Sequence, residues 1–129
     1  MAEHQLKFRL LPGSYAILRM APDAAPPDWT SNGEFTSLTR APDELSIVCP
    51  QQNIPQNIPP GPRWICLKLE GPFAFSQTGV LLAFIEPLSN DRIPIFAIST
   101  YDTDYVLIQE QYWHAARQIL RDAGHERLP

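Results

Sequence analysis

Ser99, Thr100, Asp102, Thr103 and Asp104 crowd into one short stretch between the apolar residues Ile98 and Val106 to Ile108. Carboxylates there can hold an ammonium or guanidinium group by charge-assisted hydrogen bonds. Asp102 and Asp104 would share a face only in a regular strand, where residues two apart point the same way. Asp, Ser and Thr are also turn formers, because their side chains bond nearby backbone. Local chemistry therefore predicts a hairpin tip, with or without a ligand.

A second stretch, Phe75-Ser76-Gln77-Thr78-Gly79, precedes an apolar helical run. Gly79 lacks a Cβ and so lets the backbone approach a ligand. N–H groups at the start of a helix, together with the helix dipole, favour a carboxylate. The two stretches combined would suit both ends of an amino acid. Ser76 and Thr78 carry a second reading as helix caps.

Other chemistries find little support. His4, His114 and His125 are scattered without metal-ligand spacing. No G-x-S-x-G, Walker or C-x-x-C pattern occurs, so no cofactor or metal is expected. Ser14 and Ser76 have no recognisable base partner. An Asp102/Asp104 acid–base pair is the least favoured reading, because no nucleophile accompanies it. Cys49 and Cys66 lie in apolar stretches and read as small buried core residues. Trp29, Trp64 and Trp113 read as packing anchors; Trp29, in a polar loop, also admits a pocket or interface role.

The 129 residues suit one domain or two very small ones, and 44% hydrophobic content is enough for a core. The net charge of −4, with no basic block, argues against nucleic acid or an anionic membrane as partner. No apolar run is long enough to span a bilayer. MAEHQLKFRL lacks a charged-then-apolar leader pattern, so a soluble, cytoplasmic chain is expected. Nine of the 14 prolines fall between Pro12 and Pro60. Proline blocks helix interiors and central strands, so strands and loops should dominate the first half.

These chemistry-bearing stretches must be positioned by the elements around them. QLKFRLLPGSYAILRM, 5–20, alternates with period two and predicts two strands around a Pro-Gly turn. Residues 21–33 read as a loop with one helical turn near Trp29. Residues 33–50 read as a hairpin turned at Ala41-Pro42-Asp43. The proline-rich segment 51–62 reads as a linker. RWICLKL, 63–69, is a strand. From Thr78 to Leu88, Val80, Leu81, Leu82, Phe84, Ile85 and Leu88 give a broad apolar helical face. Strands follow at 93–100 and 105–109. A second helix spans 110–123, with Gly124 as its C′ residue, and HERLP offers a last short strand. The second half thus has the β-α-β-β-α-β order of the ferredoxin-like plait, an α+β fold with helices on one face of an antiparallel sheet.

Residues 37–48, SLTRAPDELSIV, align with 97–108, AISTYDTDYVLI. Glu44 then falls on Asp104 and Thr39 on Ser99. This predicts a duplication whose first copy has lost its helices.

DELSIVC (43–49), GPFAFSQTGVLLAFIEPL (71–88) and IPIFAISTYDTDYVLI (93–108) resemble the tandem ACT-domain family that includes the CASTOR arginine sensors. The resemblance runs from about Leu6 to Gly124. It implies two ACT-like units, 1–60 (trimmed and helix-poor) and 61–129. It also implies a ligand site at Phe75, Ser76, Gln77, Thr78 and Gly79, facing Ser99, Thr100 and Asp104. The arginine sensors have four such units and this chain two, so the resemblance implies a homodimer. The expected function is a non-enzymatic regulatory module that binds a small molecule, with an amino acid favoured. The competing expectation is a ligand-independent interaction or dimerisation module.

Overall fold

The computed structural model describes residues 4–74 and 77–129. Among these, the period-two and helical stretches of the sequence become eight strands, β1 (Lys7–Leu10), β2 (Tyr15–Met20), β3 (Ser37–Ala41), β4 (Glu44–Pro50), β5 (Trp64–Leu69), β6 (Ile95–Ser99), β7 (Asp104–Gln109) and β8 (Glu126–Arg127), and two helices, α1 (Val80–Asn90) and α2 (Trp113–Asp122). They fall into two compact units, Pro12–Trp64 and Met1–Leu11 with Ile65–Pro129. The division read from the sequence lies at residue 60; the compact units differ from it chiefly in β1, which belongs with the C-terminal residues.

The larger unit is an α+β, ferredoxin-like plait with one added strand. Its sheet runs β6-β7-β5-β1-β8. β1 lies antiparallel to β5, with Phe8 opposite Leu69, and parallel to β8, with Phe8 opposite Arg127. The N-terminal strand thus separates the first and last strands of the β-α-β-β-α-β series. Alternate residues Leu6 and Phe8, Ile65, Leu67 and Leu69, and Val106 and Ile108 share a core with Val80, Phe84 and Leu88 of α1 and Ala116 and Leu120 of α2. Val80, Phe84 and Leu88 are spaced four apart, which puts them on one stripe of α1. Phe84 meets Phe8 edge-on at 5.3 Å between ring centroids.

Two expectations for the helices change. The first was placed from Thr78 with Ser76 or Thr78 as its cap. Ser76 lies outside the described residues, and the N-cap position is Gly79 with no side-chain cap bond. Gly79 holds a left-handed φ of +78°, which turns the chain off the helical path before Val80. The second helix, expected over 110–123, divides into a 3₁₀ turn, Glu110–Tyr112, and α2.

The smaller unit has the strand order β3-β4-β2, with Tyr15 of β2 paired to Trp64. Leu45, Ile47 and Cys49 alternate along β4 and form its core, against which Leu18, Met20, Ala24, Trp29 and Ile54 pack. Trp29 is therefore a packing anchor. Among the described residues this unit holds only 3₁₀ turns, Asp28–Ser31 and Gln51–Asn53, in keeping with its helix-poor sequence. The segment expected as a linker contributes the second of these turns and the core contact of Ile54. The β3–β4 hairpin closes with Ala41 opposite Glu44, whereas β6–β7 closes with Ser99 opposite Asp104. Thr39 faces Ser46, so the Thr39/Ser99 correspondence does not carry over into strand register.

Candidate functional site

The polar stretch from Ser99 to Asp104 is a hairpin tip. Ser99 ends β6 and Asp104 begins β7, and they are direct cross-strand partners. Between them the Thr100 N–H donates to the Thr103 carbonyl at 2.8 Å. Thr100 Oγ1 donates to the same carbonyl at 3.0 Å. This tight turn breaks strand alternation, so Asp102 and Asp104 differ in setting. Asp102 is exposed and Asp104 half-buried.

Tertiary contacts hold the tip against the chain after β5. Thr103 is buried, and its hydroxyl donates to the Leu69 carbonyl at 2.8 Å. The Phe73 N–H donates to the Asp102 carbonyl at 2.9 Å. A Cβ on Gly71 would lie 2.9 Å from that carbonyl oxygen and 3.2 Å from Thr103 Cβ, so this approach requires glycine. Sequence reasoning treated Thr103 as one more turn residue and passed over Gly71. Their only signal was a hydroxyl and a glycine in polar turns, which many turns share.

The tip and the start of α1 line one hollow of about 350 Å³. Gln77 and Gly79 reach it from one side, and Ser99, Thr100 and Asp104 from the other. Five of the eight residues singled out in the sequence are thus brought together. Thr78 is not among the lining residues; its carbonyl is 3.0 Å from Nε2 of His4. Phe75 and Ser76 lie outside the described residues. Two exposed large hydrophobic side chains, Tyr101 at 79% and Leu82 at 57%, also border the hollow.

The charges on its two sides are opposite. Ser99 Oγ donates to Asp104 Oδ1 in a short hydrogen bond, and among the described residues Oδ2 has no donor. Across the hollow stand Gly79, Val80, Leu81 and Leu82, the first positions of α1. The first backbone N–H groups of a helix have no intrahelical acceptor, and the first bond of this ladder runs from the Ala83 N–H to Gly79 at 2.9 Å. The helix dipole adds partial positive charge at this end. One wall therefore suits an anionic group and the other a cationic one.

His125 is a structural residue that sequence reading left among the scattered histidines. It is 5% exposed. Its Nδ1 accepts the Leu6 N–H at 3.0 Å, and its Nε2 lies 3.0 Å from the Ala83 carbonyl. An N–H can only donate and a carbonyl only accept, so the ring is neutral with its proton on Nε2. Burial pushes its pKa below the ordinary 6.5, partly opposed by the bond to Ala83. Among the described residues no cluster of His, Cys, Asp or Glu could hold a metal ion, and no helix is long and apolar enough to cross a membrane.

The plait, with two helices against an antiparallel sheet, defines a fold class, and comparison with known proteins agrees with that class. An ACT-domain family model matches residues 61–122, and a second model, described as an N-terminal domain, matches residues 13–57. The chain belongs to the ACT-domain family related to the cytosolic arginine sensors. It is 26% identical over 118 residues to "Cytosolic arginine sensor for mTORC1 subunit 1" of Bos taurus, and 25% identical over 118 residues to the Homo sapiens protein of that name. Each alignment takes in 77% of this chain and 36% of the relative, so the chain spans about a third of their length. Among solved structures, an Agobacterium tumefaciens protein is 43% identical with a TM-score of 0.89, over 97% of this chain and 93% of that one. A Vibrio cholerae protein, 20% identical with a TM-score of 0.73 over 93% of this chain and 91% of that one, shares the fold.

Proposed function

We propose that the chain is a regulatory module that binds a small molecule, an amino acid first among candidates, and that it has no catalytic activity. The observation that carries this reading is the shared hollow, in which Asp104 faces the first turn of α1. An amino acid would lay its carboxylate on the N–H groups at Gly79 to Leu82 and direct its cationic end to Asp104, with Ser99, Thr100 and Gln77 as polar neighbours. Arginine, the amino acid in the names of the curated relatives, is the first ligand to test, because a guanidinium suits a carboxylate. The proposed setting is cytoplasmic, without nucleic acid or membrane as partner. A second copy of the chain, in a homodimer, would close the open side of the hollow, and the smaller unit would be a trimmed ACT-like copy.

For binding to regulate, the ligand must favour one conformation or assembly over another. The test is a thermal-shift screen of the twenty amino acids, beside the Asp104→Ala variant. A ligand present at 100 times its Kd stabilises by about 2.7 kcal/mol. The expected result is a shift with one amino acid that Asp104→Ala loses while its unliganded melting temperature stays near that of the parent. No shift with any amino acid would overturn the reading.

One observation favours a second reading, a ligand-independent dimerisation module. Leu38 is 47% exposed on β3, which ends the β3-β4-β2 order of the smaller unit. Unpaired strand edges invite pairing with another chain. A dimer insensitive to amino acids but broken by Leu38→Lys would favour it.

A further inference from the structure

We propose that the larger unit carries a second ligand site, for a phosphate-bearing anion, in the groove between α2 and β8. The groove holds about 510 Å³ and is lined by Arg117, Arg121 and Arg127. Arg117 and Arg121 stand one turn apart on α2, so their side chains leave the same flank of the helix. Arg127 comes from β8, whose position is fixed by bonds from Glu126 N–H to Leu6 at 2.8 Å and from Leu128 N–H to Phe8 at 2.7 Å. Its guanidinium carbon lies 5.8 Å from the Trp113 ring centroid, a cation–π distance that holds it toward the helix.

Among the described residues, none of the three arginines has an acceptor. Three arginines elsewhere are occupied: Arg9 pairs with Glu70 at 3.1 Å, Arg19 donates to the Asp43 carbonyl at 2.9 Å, and Arg40 donates to Pro22 and Ala24 carbonyls. A C-terminal position on α2 explains Arg121 through the helix dipole. It does not explain Arg117, further back on the helix, or Arg127, on another element. In a chain of net charge −4, three cations gathered in one concavity form a local reversal of sign. The lining contains one carboxylate, Glu126, which leaves an excess of two positive charges. A monoanion would leave that excess half-met. A phosphate ester or pyrophosphate supplies at least two charges and accepts the paired N–H donors of guanidinium forks. The volume leaves room for the group the phosphate carries.

The test uses the full chain with Trp29→Phe and Trp64→Phe, so that Trp113 beside Arg127 is the sole tryptophan reporter. Pyrophosphate and ATP are titrated in separate experiments, against sodium chloride at matched ionic strength. A saturable fluorescence change with either phosphate, weakened about tenfold or more by Arg117→Gln or Arg121→Gln, is expected, since a bond to a charged group is worth about a factor of ten. Glu126→Gln should tighten binding. The arginines are exposed, so circular dichroism of these variants should match the parent, which keeps loss of binding distinct from loss of fold. A response equal to that of sodium chloride, or one unchanged in Arg117→Gln/Arg121→Gln, would overturn the proposal. Failure of the amino-acid screen would leave it standing, because the two sites share no lining residue.

Discussion

Ser99 and Asp104 face each other across the last rung of the β6–β7 ladder, and the serine hydroxyl occupies one carboxylate oxygen of the aspartate. The remaining oxygen is what Asp104 can offer to a ligand. Ser99→Ala should then orient Asp104 less firmly without removing its charge. Ligand affinity is expected to fall by less than about tenfold, against complete loss in Asp104→Ala. Isothermal titration with the ligand found by thermal shift distinguishes the two.

Thr103 ties the hairpin tip to β5 through Leu69. Thr103→Val keeps the shape but leaves the Leu69 carbonyl without that donor, at a cost of about 1–3 kcal/mol. Gly71→Ala should destabilise by a different route, pushing the Asp102 carbonyl away from a Cβ that would stand 2.9 Å from it. Urea midpoints of both variants should fall. Both should also weaken any ligand that needs Asp104 in place.

Gly79→Ala tests backbone conformation at the mouth of the hollow. The nearest atoms to an added Cβ belong to His4 at 3.6 Å, an ordinary contact. The penalty is therefore the left-handed φ of +78°, about 1–2 kcal/mol for an L-residue. A loss of unfolding free energy of that size, read from urea midpoints, is expected in the unliganded chain.

His125 makes stability depend on pH in a defined direction. Its folded pKa lies below the ordinary 6.5, because burial opposes the charged ring and the Leu6 N–H needs a bare Nδ1. The unfolded chain therefore binds the proton more readily. The stabilisation is complete above about pH 6.5 and is lost as pH falls through the lower folded value. Urea midpoints at pH 7.5 and 5.0 should differ more in the parent than in His125→Gln.

Cys49 and Cys66 are both fully buried, and burial raises the Cys49 pKa. Thiolate is the reactive form and needs solvent access. A thiol reagent at pH 7.5 should find no rapidly reacting cysteine in the native protein and two in denaturant.

Local patterning carried much of the fold. Lys7 to Leu10 alternate because that strand buries every second residue, Trp64 to Leu69 is a largely apolar run because that strand buries both faces around Cys66, and Val80, Phe84 and Leu88 recur because a helix buries one stripe. A hairpin tip was legible from the backbone-bonding side chains of Asp102, Thr103 and Asp104, although the turn itself falls at 100–103, between Ser99 and Asp104. The family resemblance added the expectation that they face the start of α1.

Placement in space was decided by contacts far apart in sequence. Nothing local in Lys7 to Leu10 says that β1 inserts between β5 and β8; that follows from the pairings of Phe8 with Leu69 and Arg127. His125 looks like any tail histidine until Leu6 and Ala83 meet its two nitrogens. The cap moved to Gly79 because a left-handed residue turned the chain there, although Ser76 and Thr78 have the better capping side chains. Arg117, Arg121 and Arg127 read as solvated charges until α2 packs beside β8. Periodicity is written in the chain because each residue's burial depends on its neighbours three or two positions away. Partners a hundred residues distant are chosen by which surfaces fit once the core has closed, and that choice belongs to the tertiary structure.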